Sequence, residues 1–182
     1  MASTISRGRW AATMTLLSTL ALTACGGGST QPEPEETRAQ DSRQFSPDPS
    51  RLPFSAVAGA PETDRWWGVL DGAGYRVEVP KNWNGMLVMY AHGYGGTGPT
   101  VNVSDPPIRE HLIRNGYAWG ASSFSKNYYD VRAGIEDTNG LALAFQRIAA
   151  QNGRTLAAPT KTYIGGTSMG GHIAAAAVDA ET

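Results

Sequence analysis

Cysteine is almost missing from this chain: its 182 residues include one, Cys25, so no disulfide can form within it. Net charge is scarce as well. With 15 Lys and Arg against 16 Asp and Glu, and no basic cluster interleaved with aromatics, the chain lacks the electrostatic footprint of a nucleic-acid partner. Its N-terminal apolar stretch, Trp10 to Leu22, is too short for an ordinary membrane-spanning helix. Histidine occurs three times, as His92, His111 and His172, and none accompanies the acidic residues Asp130, Glu136 and Asp137. Those acids suit helix capping and a solvated face, so no metal or other cofactor is expected. The glycine-rich run His92 to Gly98 has neither the Lys-Ser/Thr ending of a P-loop nor a Gly-x-Gly-x-x-Gly opening directly before a helix, which argues against a phosphate cradle.

What is present at the N-terminus is an address. Arg7 and Arg9 supply a positive leader, the apolar stretch follows, and Leu22-Thr23-Ala24-Cys25 closes it with small residues. This ending resembles the lipobox of bacterial lipoproteins. The resemblance implies a signal peptide over residues 1–24, cleavage before Cys25, and acyl chains on the thiol and the new amine. Such chains would hold the protein on a membrane of the bacterial cell envelope, facing the periplasm or exterior, and an unlipidated product would be secreted. Residues 25–62, rich in Gly, Pro, Ser and Glu, bury too little apolar surface to repay ordering and are expected to be a flexible tether.

Residues 63–182 carry the periodicity of a folded domain. Trp66 to Leu70 and Tyr75 to Val79 predict a hairpin across Asp71-Gly72-Ala73-Gly74, and Met86 to Tyr90 predicts a strand buried on both faces. A helix is expected from Ser104 or Asp105, with Pro106 in its first turn and Ile108, Leu112 and Ile113 inward. Tyr117 to Ser122 predicts the next strand. Asp130 then caps a long helix with Val131, Ile135, Thr138, Ala142, Phe145 and Ala149 along one stripe. This alternation predicts an α/β fold whose sheet is mostly parallel, with helices on both faces.

The chemistry lies at Thr162-Tyr163-Ile164-Gly165-Gly166-Thr167-Ser168-Met169-Gly170-Gly171, where an apolar strand breaks into Gly-x-Ser-x-Gly and then into an alanine-rich helix. Strand, tight turn and helix in that order raise a serine above the end of a sheet, which marks Ser168 as a candidate nucleophile. Backbone N–H groups of Met169 and of Gly93 or Tyr94 are the candidate oxyanion donors. His172, four residues into the helix, and His92, in the preceding glycine loop, are both poorly placed to act as its base.

With His92-Gly93-Tyr94-Gly95-Gly96 after one strand and Gly166-Thr167-Ser168-Met169-Gly170 after another, the chain resembles the α/β-hydrolases, and Gly120 to Asn127 with Asp130 to Thr138 resembles secreted bacterial members. The resemblance covers the N-terminal portion of that fold, up to and including the nucleophile elbow. It implies hydrolysis of a small carboxylic ester through an acyl-enzyme on Ser168, with a peptidase or amidase, or a non-catalytic cell-surface binding domain, as alternatives. In this family the acid and base histidine come from late strands. The chain is therefore expected to hold an incomplete fold and half an active site, weak or inactive alone, with a small ester-like or peptide-like substrate as its partner.

Overall fold

The computed structural model describes residues 43–179. The predicted signal peptide, Cys25 and residues 25–42 of the tether lie outside them. In chain order the elements are β1 (Ser46–Pro47), β2 (Thr63–Leu70), β3 (Ala73–Pro80), β4 (Met86–Ala91), β5 (Thr100–Val101), α1 (Arg109–Arg114), β6 (Ala118–Ser122), α2 (Val131–Gln151), β7 (Lys161–Gly166) and α3 (Met169–Asp179). Among these described residues no helix is long and apolar enough to cross a membrane.

Five strands form the main sheet in the order β2-β3-β6-β4-β7. The β2/β3 and β3/β6 pairings are antiparallel, while β6/β4 and β4/β7 are parallel. The sheet is thus mixed rather than mostly parallel. Its cause is local: Asp71 and Gly72 take φ of 49° and 86°, the two positive values that a tight hairpin needs, so β3 must return antiparallel to β2. Strand periodicity reports burial and carries no sign of direction.

Helices cover both faces. On one side Val77, Val79, Leu87 and Met89 pack against Leu141, Phe145 and Ile148 of α2. Ala91, Met169 and Ile173 form a second cluster with Phe124 and the α2 residues Val131 and Ile135, which sets α3 beside α2. Across the sheet, Tyr90, Trp119 and Ala121 meet Leu112 of α1 and Phe54. Each large side chain buried this way contributes about 1.5–3 kcal/mol. Asp130 caps α2 by accepting from the Ala133 N–H at 2.9 Å.

Two expectations need correction. The first helix begins at Arg109, because the Asp105 carboxylate is taken by Arg76 at 2.7 Å and Arg109 at 3.0 Å, and Ile108 is left exposed. The spacer expected to reach residue 62 is also already part of the fold from residue 46. There β1 pairs in parallel with β5, Leu52 is 3% exposed, and the carbonyls of Arg51 and Leu52 accept from the Arg76 guanidinium, each at 2.8 Å. Leu52 and Phe54 are isolated apolar residues in a polar stretch, so no period betrays their docking.

Beneath this segment lies a buried carboxylate. Glu78 is 0% exposed and accepts from Thr63 Oγ1 at 2.7 Å, from the Arg109 guanidinium at 2.7 and 3.1 Å, and from Trp119 Nε1 at 2.8 Å. Every strand from β2 to β6 in the sheet order is tied by this one side chain to α1. A buried ion is tolerable only when it is paired and saturated in this manner.

Candidate active site

The parallel strands β4, β6 and β7 end on the same edge of the sheet, the edge where open α/β sheets bind ligands. From β7 the chain turns through Thr167 and Ser168 into α3. Ser168 has φ of 54°, a left-handed conformation that costs a non-glycine residue about 1–2 kcal/mol. The turn is closed by backbone: a Cβ on Gly166 would strike the Gly170 carbonyl, and one on Gly170 would strike the Ala91 carbonyl. The two flanking glycines are therefore steric requirements. Thr167 ties the turn to β4, its N–H donating to Ala91 O at 3.3 Å and its Oγ1 sharing a 2.9 Å hydrogen bond with Tyr90 OH. Ser168 itself is exposed, and its Oγ has no hydrogen-bond partner among the described residues.

Gly93 brings the loop after β4 against this turn. A Cβ there would stand 3.3 Å from Ser168 Cβ and 3.9 Å from Oγ. The buried His92 ring lies within hydrogen-bond distance of two carbonyls, Nδ1 of Gly93 O at 2.6 Å and Nε2 of Ser123 O at 3.1 Å, and stacks on Phe124 with centroids 4.1 Å apart. Since a trans peptide points its C=O and N–H in opposite directions, turning the Gly93 carbonyl toward His92 turns the Tyr94 N–H away from it. Met169 begins the 11-residue α3, where a first-turn N–H has no partner within the helix.

None of the three histidines meets Ser168. His92 is engaged as described. His172 is exposed on α3 with Nδ1 3.4 Å from Tyr129 OH, and His111 lies in α1 beside Asn115. The acidic residues are also dispersed: Asp130 caps α2, Glu136 pairs with Arg132 at 2.7 Å, and Asp137 accepts from the Ser125 N–H at 2.6 Å. Burial raises the Asp137 carboxyl above its ordinary range, against the lowering effect of the Ser125 hydrogen bonds. Among the described residues no group of three or more His, Cys, Asp or Glu could hold a metal ion.

Sequence patterns marked the β6–α2 connection, which borders the site, as a family likeness but missed its backbone conformation. Phe124 and Tyr128 have φ of 56° and 67°, values for which neither residue type gives a cue.

No family model matches the chain, and no curated protein matches it. Among solved structures it is similar to a bacterial heroin esterase, with 22% identity, 69% of this chain and 41% of that one covered, and a TM-score of 0.48. It is similar to brefeldin A esterase, a bacterial homologue of human hormone-sensitive lipase, with 18% identity, 70% and 38% coverage, and a TM-score of 0.42. A thermostable esterase from Pseudomonas putida ECU1011 gives 18% identity, 70% and 42% coverage, and a TM-score of 0.41. The chain spans less than half the length of each of these proteins.

Proposed function

We propose that Ser168 is the nucleophile of a serine hydrolase that cleaves small carboxylic esters. The observation that carries this is the left-handed backbone of an exposed serine at a strand-to-helix turn closed by glycines on both sides. Unrewarded strain of this kind is selected against in a plain turn, and it aims Oγ outward from the sheet edge. In the reaction Oγ gives its proton to a base as it bonds to the ester carbonyl carbon. The N–H groups of Met169 and of Gly93 or Tyr94 receive the charge on the former carbonyl oxygen, the alcohol leaves with a proton, and water then releases the acid. The fold is read as the N-terminal part, residues 63–182 with the segment from 46 added, of an α/β-hydrolase domain. Cys25 is read as its lipid anchor; a Cys25→Ser chain that stayed with the membrane fraction would refute that.

His92 and His172 are turned to other partners, so neither is read as the base, and the chain alone is expected to be slow. That geometry also favours a second reading, a non-catalytic surface domain that retains the turn. Assay of p-nitrophenyl butyrate hydrolysis with Ser168→Ala, together with peptide mapping after organofluorophosphonate treatment, separates the two. Adduct on Ser168 and turnover lost in Ser168→Ala support the hydrolase. Adduct on another residue, or undiminished turnover in Ser168→Ala, refutes it.

A further inference from the structure

The glycine loop leaving β4 is fastened at its far end by a residue to which the sequence patterns assign no role. Asn127, in the β6–α2 connection, is 5% exposed. Its Nδ2 donates to Gly98 O at 2.6 Å and to Thr100 O at 2.9 Å, and its Oδ1 lies 2.8 Å from where a Cβ on Gly95 would stand. The next residue, Tyr128, donates its backbone N–H to Gly96 O at 2.9 Å. One dipeptide therefore holds the loop from Gly95 to Thr100, while His92 fixes its start. Tyr128 is itself gripped from outside, with the Arg43 guanidinium 3.6 Å from its ring centroid.

This clamp is matched to its task. Four glycines between Gly93 and Gly98 make the unrestrained loop costly to order, and a primary amide is the smallest side chain that can place two N–H donors on two carbonyls at once. Phe124 and Tyr128 hold positive φ on either side of Asn127, strain that persists where the surroundings over-determine a conformation.

We propose that Asn127 is a positioning residue for the oxyanion loop, holding the Gly93 and Tyr94 backbone against Ser168. Its catalytic consequence rests on the hydrolase function proposed above; its effect on the loop does not. Hydrogen exchange of the full chain, followed by mass spectrometry, reads the loop directly. In Asn127→Ala the 92–101 peptide should exchange about tenfold faster, with the β2/β3 hairpin and α2 unchanged. Asn127→Asp should show the same loss at neutral pH, since a carboxylate repels both carbonyls, and partial recovery on acidification when the protonated acid regains one donor. Gly95→Ala, which pushes a methyl at Asn127 Oδ1, should loosen the loop in the parent and add little in Asn127→Ala. In a preparation with Ser168-dependent turnover, Asn127→Ala should lower kcat by roughly 10–100-fold with KM nearly constant. Unchanged loop exchange, acceleration spread evenly over the domain, or an unaltered kcat in such a preparation overturns the proposal. Should turnover survive Ser168→Ala, the hydrolase reading fails while the exchange data still decide the role of Asn127.

Discussion

Two substitutions of Ser168 that both delete Oγ should differ in stability with a sign that reports the strain at the turn. At φ of 54° a Cβ is unfavourable by about 1–2 kcal/mol, a cost that glycine does not bear. Glycine gives back roughly 0.5–1 kcal/mol through the greater entropy of its unfolded chain. Ser168→Gly should therefore be more stable than Ser168→Ala by about 0.5–1 kcal/mol. In an ordinary helical position the order reverses, and alanine leads by about 0.8–1.0 kcal/mol. The two cases are separated by roughly 1.5–2 kcal/mol, enough to resolve in matched urea titrations with equal slopes. Thermal midpoints should follow, the glycine variant melting higher by a few degrees, on the order of 3 °C. If Ser168→Ala proved the more stable, the residue would not be held in the left-handed conformation in solution, and the structural ground for its proposed role as nucleophile would go with it.

Glu78→Ala should cost about 3 kcal/mol, because it leaves the Trp119 N–H and the Thr63 hydroxyl without their buried acceptor and takes from the Arg109 guanidinium the more buried of its two carboxylate partners, Asp105 remaining. A urea midpoint that implied a loss below about 1 kcal/mol would mean that the site is wet or that the network is dispensable. Asp137→Asn should stabilise the domain at neutral pH. Burial, partly offset by the Ser125 hydrogen bonds, raises the folded-state pKa of Asp137, so the folded chain keeps its proton at pH values where the unfolded chain has lost it. Stability from this group is present below the unfolded value and is lost as pH rises through the folded one. The advantage of Asp137→Asn over the parent should accordingly shrink to nothing near about pH 3, and a pH-independent difference in unfolding free energy would contradict this cause.

Sequence patterns reached the features that repeat or that break a repeat. Continuous apolar runs marked β4 and β6, the Asp71-Gly72 pair marked the hairpin, and the capping geometry of Asp130 followed from its place before a helical stripe. The Gly-x-Ser-x-Gly turn was legible because its glycines are steric requirements and its serine stands between strand and helix. Contacts that join distant segments through single side chains escaped. Glu78 falls in a strand at an alternating position where a solvated charge is the ordinary expectation, and only its meeting with Arg109 makes it a core residue. Asn127 ends a segment that resembles secreted hydrolases, yet its clamping role was not legible for the same reason: it sits in a polar loop, and its partners are carbonyls, which every residue has.

The distribution of strain links these pieces. Of the four non-glycine residues with positive φ among the described residues, Asp71 closes a hairpin, where such values are the low-energy solution for that turn. The other three, Phe124, Tyr128 and Ser168, all follow the carboxyl ends of β6 or β7, and the loop after β4 passes among them. In the sheet beneath, Val77, Val79, Leu87 and Trp119 are fully buried. Strain of this kind gathers at one edge of the sheet, and at Phe124 it is held by that residue's full burial in the core. It is accounted for if those three turns must hold backbone groups and one hydroxyl in fixed relation to a bound carbonyl, which is what an acyl-transfer site requires.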